Sequence, residues 1–190
     1  MVFWDDLGFA TNYTVEADLE FPGDGGWDYP ERRIVRPGRE LIGGPQALVR
    51  PVDAAPWLLV SGFTALGALY ATSDPNVLCV FEQFGWVTFV DVRRPENQRT
   101  WDDVYPVRIA AATDAGVLLV LDWAGITAIG ADGVRWRQSD LAYDIHVTRS
   151  DGDRIYYRGG NLDIGAEVRG SLDARTGTVI NPPKRNTGGG

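Results

Sequence analysis

The 190-residue sequence has one cysteine, Cys79, and one histidine, His146. A lone cysteine excludes an internal disulfide. Cys79 sits in the apolar run Val77-Leu78-Cys79-Val80, where a buried, inert thiol is expected rather than a nucleophile. One histidine and one cysteine cannot build a typical zinc site, so no metal and no cofactor are expected. A catalytic triad would have to recruit His146 with a serine and a carboxylate from elsewhere, and no nucleophile-elbow sequence is present. No lysine or arginine precedes Arg32, and the start Met1-Val2-Phe3-Trp4-Asp5-Asp6 lacks the basic-then-apolar layout of a secretory leader. Gly23-Asp24-Gly25-Gly26 lacks the Lys-Ser/Thr ending of a phosphate loop. The long uncharged stretch, Ala54 to Ser73, is diluted by Pro56, Ser61, Gly62, Thr64, Gly67 and Thr72. It reads as two buried strands with a turn near Ser61-Gly62 rather than as a membrane span. The formal net charge of -8 leaves no basic surplus for nucleic-acid phosphates or anionic lipid. A soluble cytoplasmic protein is expected.

Against these absences stand 44% hydrophobic residues, 11% aromatics and 23 glycines, a composition that favours strands joined by tight turns. Asp114 to Trp136 reads as a meander, its short apolar runs cut at Asp114-Ala115-Gly116, Trp123-Ala124-Gly125 and Ala131-Asp132-Gly133. Tyr13 to Phe21 alternates strictly. Tyr13, Val15, Ala17, Leu19 and Phe21 take one face, and Thr14, Glu16, Asp18 and Glu20 the other, which is a half-buried strand with an acidic outer side. Phe21 to Pro45 is a long Gly- and Pro-rich loop with room for one short strand near Ile34-Val35, and long loops often carry binding. Ala47-Leu48-Val49 and Trp57-Leu58-Leu59-Val60 are the next strands. The last ten residues, 181–190, have no apolar residue to dock and are expected to be a flexible tail.

From Leu66 onward one layout recurs. Ser73-Asp74, Thr113-Asp114 and Ser150-Asp151 each open a turn followed by a strand, at Val77–Phe81, Val117–Leu121 and Arg154–Arg158. Gly85, Gly125 and Gly165 follow, one every ~40 residues, the size of a propeller blade. Each unit then ends on a short strand carrying Trp101, Trp136 or Ile180. Leu172-Asp173-Ala174-Arg175-Thr176-Gly177 resembles the Leu-Asp-x-x-Thr-Gly turn of quinoprotein-type propeller repeats, and Val134-Arg135-Trp136 resembles the tryptophan that closes such a blade. The arrangement also resembles small bacterial proteins of uncharacterised activity. The resemblance implies an all-β fold of propeller-like repeats, each a four-stranded antiparallel meander. It implies no cofactor residues, because only turn and closing positions match. The expected organisation is a single β domain over 1–180: an irregular N-terminal β segment over 1–60, then repeat units at 66–101, 106–137 and 144–180. A closed propeller needs at least four blades. A fourth sheet could come from the first sixty residues; otherwise the sheets form an open fan or a β-sandwich.

Asp5-Asp6 and Asp102-Asp103 are adjacent carboxylates, which point to opposite faces of an extended chain and make poor acid–base partners. Asp151-Gly152-Asp153 lacks the spacing of a calcium loop and reads as a hairpin turn. No catalytic residue is assigned. The expected function is a non-catalytic binding protein that presents a loop-decorated acidic β surface to a macromolecular partner, a basic protein, in an immunity-type or scaffold role. Its candidate binding residues are Glu16, Asp18, Glu20, Asp24, Trp27 and Asp28. The alternative is a carboxylate-dependent hydrolase of a sugar-like substrate, with one of Trp27, Trp57, Trp86, Trp101, Trp123 or Trp136 stacked on the ring.

Overall fold

The computed structural model describes residues 2–17, 19, 26, 28–34, 46–61, 67–82, 85–102, 104, 106–161 and 166–181. Residues 1–104 and 105–190 form two compact units. Apart from one turn of 3-10 helix at Thr113–Ala115, all regular elements among the described residues are strands. Among the described residues no helix is long and apolar enough to cross a membrane.

The first unit contains β1 (Val2–Asp5), β2 (Tyr13–Ala17), β3 (Glu31–Ile34), β4 (Ala47–Pro51), β5 (Trp57–Ser61), β6 (Gly67–Ala71), β7 (Val77–Glu82), β8 (Trp86–Asp91) and β9 (Gln98–Trp101). Strands β6 to β9 form an antiparallel meander, the first of the expected repeats. β1 adds a fifth strand beside β6, paired in parallel from Val2↔Gly67 to Asp5↔Tyr70. The first sixty residues are more regular than their sequence suggests. They supply a separate four-stranded sheet in the order β2-β4-β5-β3, with β3 parallel to β5. Both parallel pairings join strands distant in sequence, so neither leaves the short-turn signature that marks a hairpin.

The second unit contains β10 (Arg108–Ala112), β11 (Val117–Leu121), β12 (Ile126–Gly130), β13 (Gly133–Gln138), β14 (Tyr143–Asp151), β15 (Arg154–Gly160), β16 (Glu167–Asp173) and β17 (Val179–Asn181). These are two antiparallel meanders, β10 to β13 and β14 to β17. The strands expected to correspond, β7, β11 and β15, are each the second strand of their meander. Gly85 and Gly125 both lie in the link from second to third strand; Gly165 falls outside the described residues. Among the described residues no sheet closes on itself.

Aspartate turns explain why the strands stop where they do. Asp74 accepts the backbone N–H of Asn76 at 2.9 Å, Asp91 that of Arg93 at 3.0 Å, and Asp173 those of Arg175 and Thr176 at 2.9 and 2.8 Å. Each carboxylate replaces a ladder partner with a local one and bends the chain. Between the turns the apolar residues are buried. In the first unit Tyr13, Val49, Trp57 and Leu59 of one sheet share a core with Leu69, Leu78, Val80 and Val90 of the other. In the second, Val117, Leu119, Leu121 and Trp136 share one with Ile145, Ile155, Tyr157 and Leu172. Polar ties cross both cores. The Trp57 indole N–H donates to the Val92 carbonyl at 2.8 Å, and the Trp136 indole N–H to the Ala174 carbonyl at 2.9 Å.

Candidate functional site

The acidic strand is shorter than its alternation predicts. β2 ends at Ala17, with Tyr13 buried, Thr14 and Glu16 exposed, and Val15 and Ala17 half-buried. Tyr13 anchors it by donating its hydroxyl to the Val77 carbonyl at 3.2 Å, and burial pushes its phenol pKa up. Glu16 stands 3.7 Å from the Arg50 guanidinium, which also lies over the Tyr29 ring. An exposed pair of this kind contributes little to stability. Asp28 is exposed. Asp18, Glu20, Asp24 and Trp27 lie outside the described residues. The structure therefore places Glu16 and Asp28 on the surface and brings no two of the six candidates into contact among those it describes. The charge they belong to is nevertheless localised. Residues 1–104 hold sixteen of the 26 acidic residues and eight of the 18 basic ones, so the formal -8 resides there and residues 105–190 balance.

Other carboxylates singled out by the sequence serve turns. Asp5 and Asp6 accept the N–H groups of Leu7 and Gly8, each at 2.8 Å. Asp151-Gly152-Asp153 is the tip of the β14–β15 hairpin, with Asp153 held by Arg175 at 2.9 Å. Cys79 is fully buried and burial raises its thiol pKa, which keeps it protonated and unreactive. Among the described residues no three His, Cys, Asp or Glu side chains group closely enough to hold a metal.

A cluster that the sequence reading missed lies in the second unit. Asp122 accepts the N–H groups of Ala124 and Gly125 at 2.8 and 2.6 Å, and this aspartate turn lifts Trp123 out at its tip, 64% exposed. Its ring stacks on that of Tyr143, itself 53% exposed, with centroids 6.2 Å apart and planes 19° from parallel. Next in the chain, Asp144 has a φ of 51° and donates its backbone N–H to the Trp123 carbonyl at 3.2 Å. A left-handed aspartate is uncommon; here it marks the bulge where the pairing of β14 with β15 shifts between Tyr143 and His146. The bulge turns the Asp144 carboxylate toward Arg108 at 2.7 Å and His146 at 3.5 Å. The hydrogen bond from Arg108 holds the Asp144 carboxyl below the usual carboxylate range. A groove of about 310 Å³ adjoins this group, lined by Asp144, His146, Arg158, Gly159, Gly160 and Glu167.

Two carboxylates, an imidazole and an exposed tryptophan in one region are the ingredients of glycoside hydrolysis, but their states do not fit it. The acid of such a pair needs a raised pKa. Asp144 is displaced the other way by Arg108. His146 has its Asp144 partner, yet no serine, threonine or cysteine among the described residues hydrogen-bonds to it to complete a nucleophilic set. The arrangement can hold a ligand by stacking and charged hydrogen bonds. No protein-family model matches the chain, and no curated protein matches its sequence.

Proposed function

We propose that the protein is a non-catalytic binding protein that presents an acidic β surface, carried by residues 1–104, to a basic macromolecular partner. The observation that carries this reading is the partition of charge: the entire formal -8 falls in one compact unit, while the other is balanced. Charge of one sign gathered on one part of a molecule steers an oppositely charged partner and sets its association rate. Glu16, exposed on an edge strand, belongs to that surface, and Asp18, Glu20, Asp24, Trp27 and Asp28 are the neighbours in sequence assigned to it. An immunity-type or scaffold role in the cytoplasm fits such a module, and a reduced Cys79 suits that compartment. The same reading takes the meanders as propeller-type blades, for which the recurrent tie from a tryptophan to the carbonyl after a third strand gives support. Affinity capture from native extract tests the function. The expected result is a basic protein whose binding weakens with salt.

A second reading, a hydrolase of a sugar-like substrate, is favoured by Asp144, Glu167 and His146 sharing one groove. The depressed Asp144 carboxyl weighs against it. Turnover of aryl glycosides that is lost in Asp144→Asn would establish it.

A further inference from the structure

The outer face of β14, β15 and β16 is ordered in rows. Cross-strand register sets Tyr143 opposite Gly160 and Glu167, then His146 opposite Arg158 and Arg169. Directly paired residues share a sheet face, as do residues two apart on an unbroken strand. Tyr143, His146, Arg158, Arg169 and Glu167 therefore stand on one side, while Ile155, Tyr157, Val168 and Leu172 fill the core on the other. Gly160 puts no side chain between Tyr143 and Glu167, which leaves bare backbone as the floor of the groove. Past His146 and Arg158 the groove continues into a second hollow of about 570 Å³, bordered by Arg149, Tyr156 and Arg169.

We propose that this face, with Trp123 at its end, is a binding site for an acidic sugar, a pyranose ring that carries a carboxylate. Three observations lead there. The Trp123 and Tyr143 rings stack on one another, and both residues are more than half exposed. Rings of this kind take the apolar C–H face of a sugar at little entropic cost. One row away stands Arg158, which makes no ion pair among the described residues. Its guanidinium can receive a carboxylate through two parallel N–H donors. The Asp144 and Glu167 carboxylates and the His146 imidazole line the groove beside Arg158. Carboxylates and imidazole in that position hydrogen-bond hydroxyl groups.

The same observations select against other ligands. A polyanion would meet the chain's net charge of -8, with residues 105–190 balanced rather than basic. An apolar ligand would gain little from a groove lined by four polar or charged side chains, Asp144, His146, Arg158 and Glu167, and bare glycine. This site is built from residues 105–190 alone and stands or falls without the acidic surface proposed above.

Titration of the intact protein with glucuronate, glucose and adenosine monophosphate, followed by tryptophan fluorescence and calorimetry, tests the site. Glucuronate is expected to bind about tenfold more tightly than glucose, the difference of one charge-assisted contact, and to change the emission of Trp123. Trp123→Ala and Arg158→Ala should each weaken glucuronate about tenfold with unchanged melting, since both side chains are exposed. Trp123→Phe should retain most of the binding. Absence of glucuronate binding, equal binding of glucose, tighter binding of the nucleotide, or insensitivity to both alanine variants would each overturn the proposal.

Discussion

The indole N–H of Trp136, on the last strand of one meander, donates at 2.9 Å to the carbonyl of Ala174, in the turn after the third strand of the next. Trp136 is 8% exposed, so it is a core residue that also makes a directional bond. Trp57, on an inner strand of the mixed sheet in the other unit, likewise donates to the Val92 carbonyl that follows a third strand, at 2.8 Å. Burying an indole requires a partner for its one donor, and each turn carbonyl supplies it. Trp136→Phe keeps one aromatic ring but deletes the pyrrole half that carries the donor, which opens a small cavity and strands the Ala174 carbonyl. Chemical denaturation should show a loss of about 1–3 kcal/mol, with a similar loss for Trp57→Phe.

Gly177 ends the Asp173 turn with a φ of +71°, and a Cβ there would lie 2.6 Å from the Trp136 ring. Gly152 has a φ of +55° but open space around it. Both alanine variants pay the left-handed backbone penalty of about 1–2 kcal/mol. Gly177→Ala also collides with a ring fixed by its hydrogen bond, so it should be the more destabilised by a further 1–3 kcal/mol or so. Melting temperatures of the two variants side by side check this ordering.

Leu119 is completely buried, between Ala110 and Ala128 in the register of its sheet. Leu119→Asp places an unpaired charge in that core, and the variant should fail to fold. His146, with a side chain 39% exposed, is different. His146→Ala should keep the native circular dichroism spectrum and change stability by less than about 1 kcal/mol.

The Asp173 carboxyl is held below its ordinary value of 3.8, chiefly by the backbone N–H and then the hydroxyl of Thr176. A depressed folded pKa means that the unfolded chain binds the proton more readily. The contribution is thus fully present above the ordinary value and is lost as pH falls through the folded one. Denaturation between about pH 5 and pH 2 should show a shallower acid dependence in Asp173→Asn than in the parent, because the amide cannot titrate.

The hairpins were legible because their information is local. Ser73-Asp74, Thr113-Asp114 and Ser150-Asp151 turn the chain through contacts a few residues long, and the apolar runs between them suit only buried strands. Parallel pairing of β1 with β6 joins residues 65 apart at Val2↔Gly67, and no pattern within a window reports it. The Arg108–Asp144 contact spans 36 residues and depends on a bulge that changes which side chains share a face. One signal was available. Asp122-Trp123-Ala124-Gly125 reads as an aspartate turn, and a tryptophan at a turn tip is displayed rather than buried. Trp123 stood as one of six candidate stacking tryptophans, and no local pattern paired it with Tyr143, 20 residues on.

The central claim is that the charge concentrated in residues 1–104 recruits a basic partner. Its most direct test is the association rate of the captured partner across a salt series, for the native protein and for a variant with Glu16, Asp18 and Glu20 changed to Lys. Exposed charges act within a Debye length of about 10 Å at 0.1 M salt. The account predicts a basic partner whose association slows several-fold with added salt and with the triple reversal, while dissociation changes little. A partner that associates at the same rate in both proteins at every salt concentration, or capture that yields no basic protein, would contradict it.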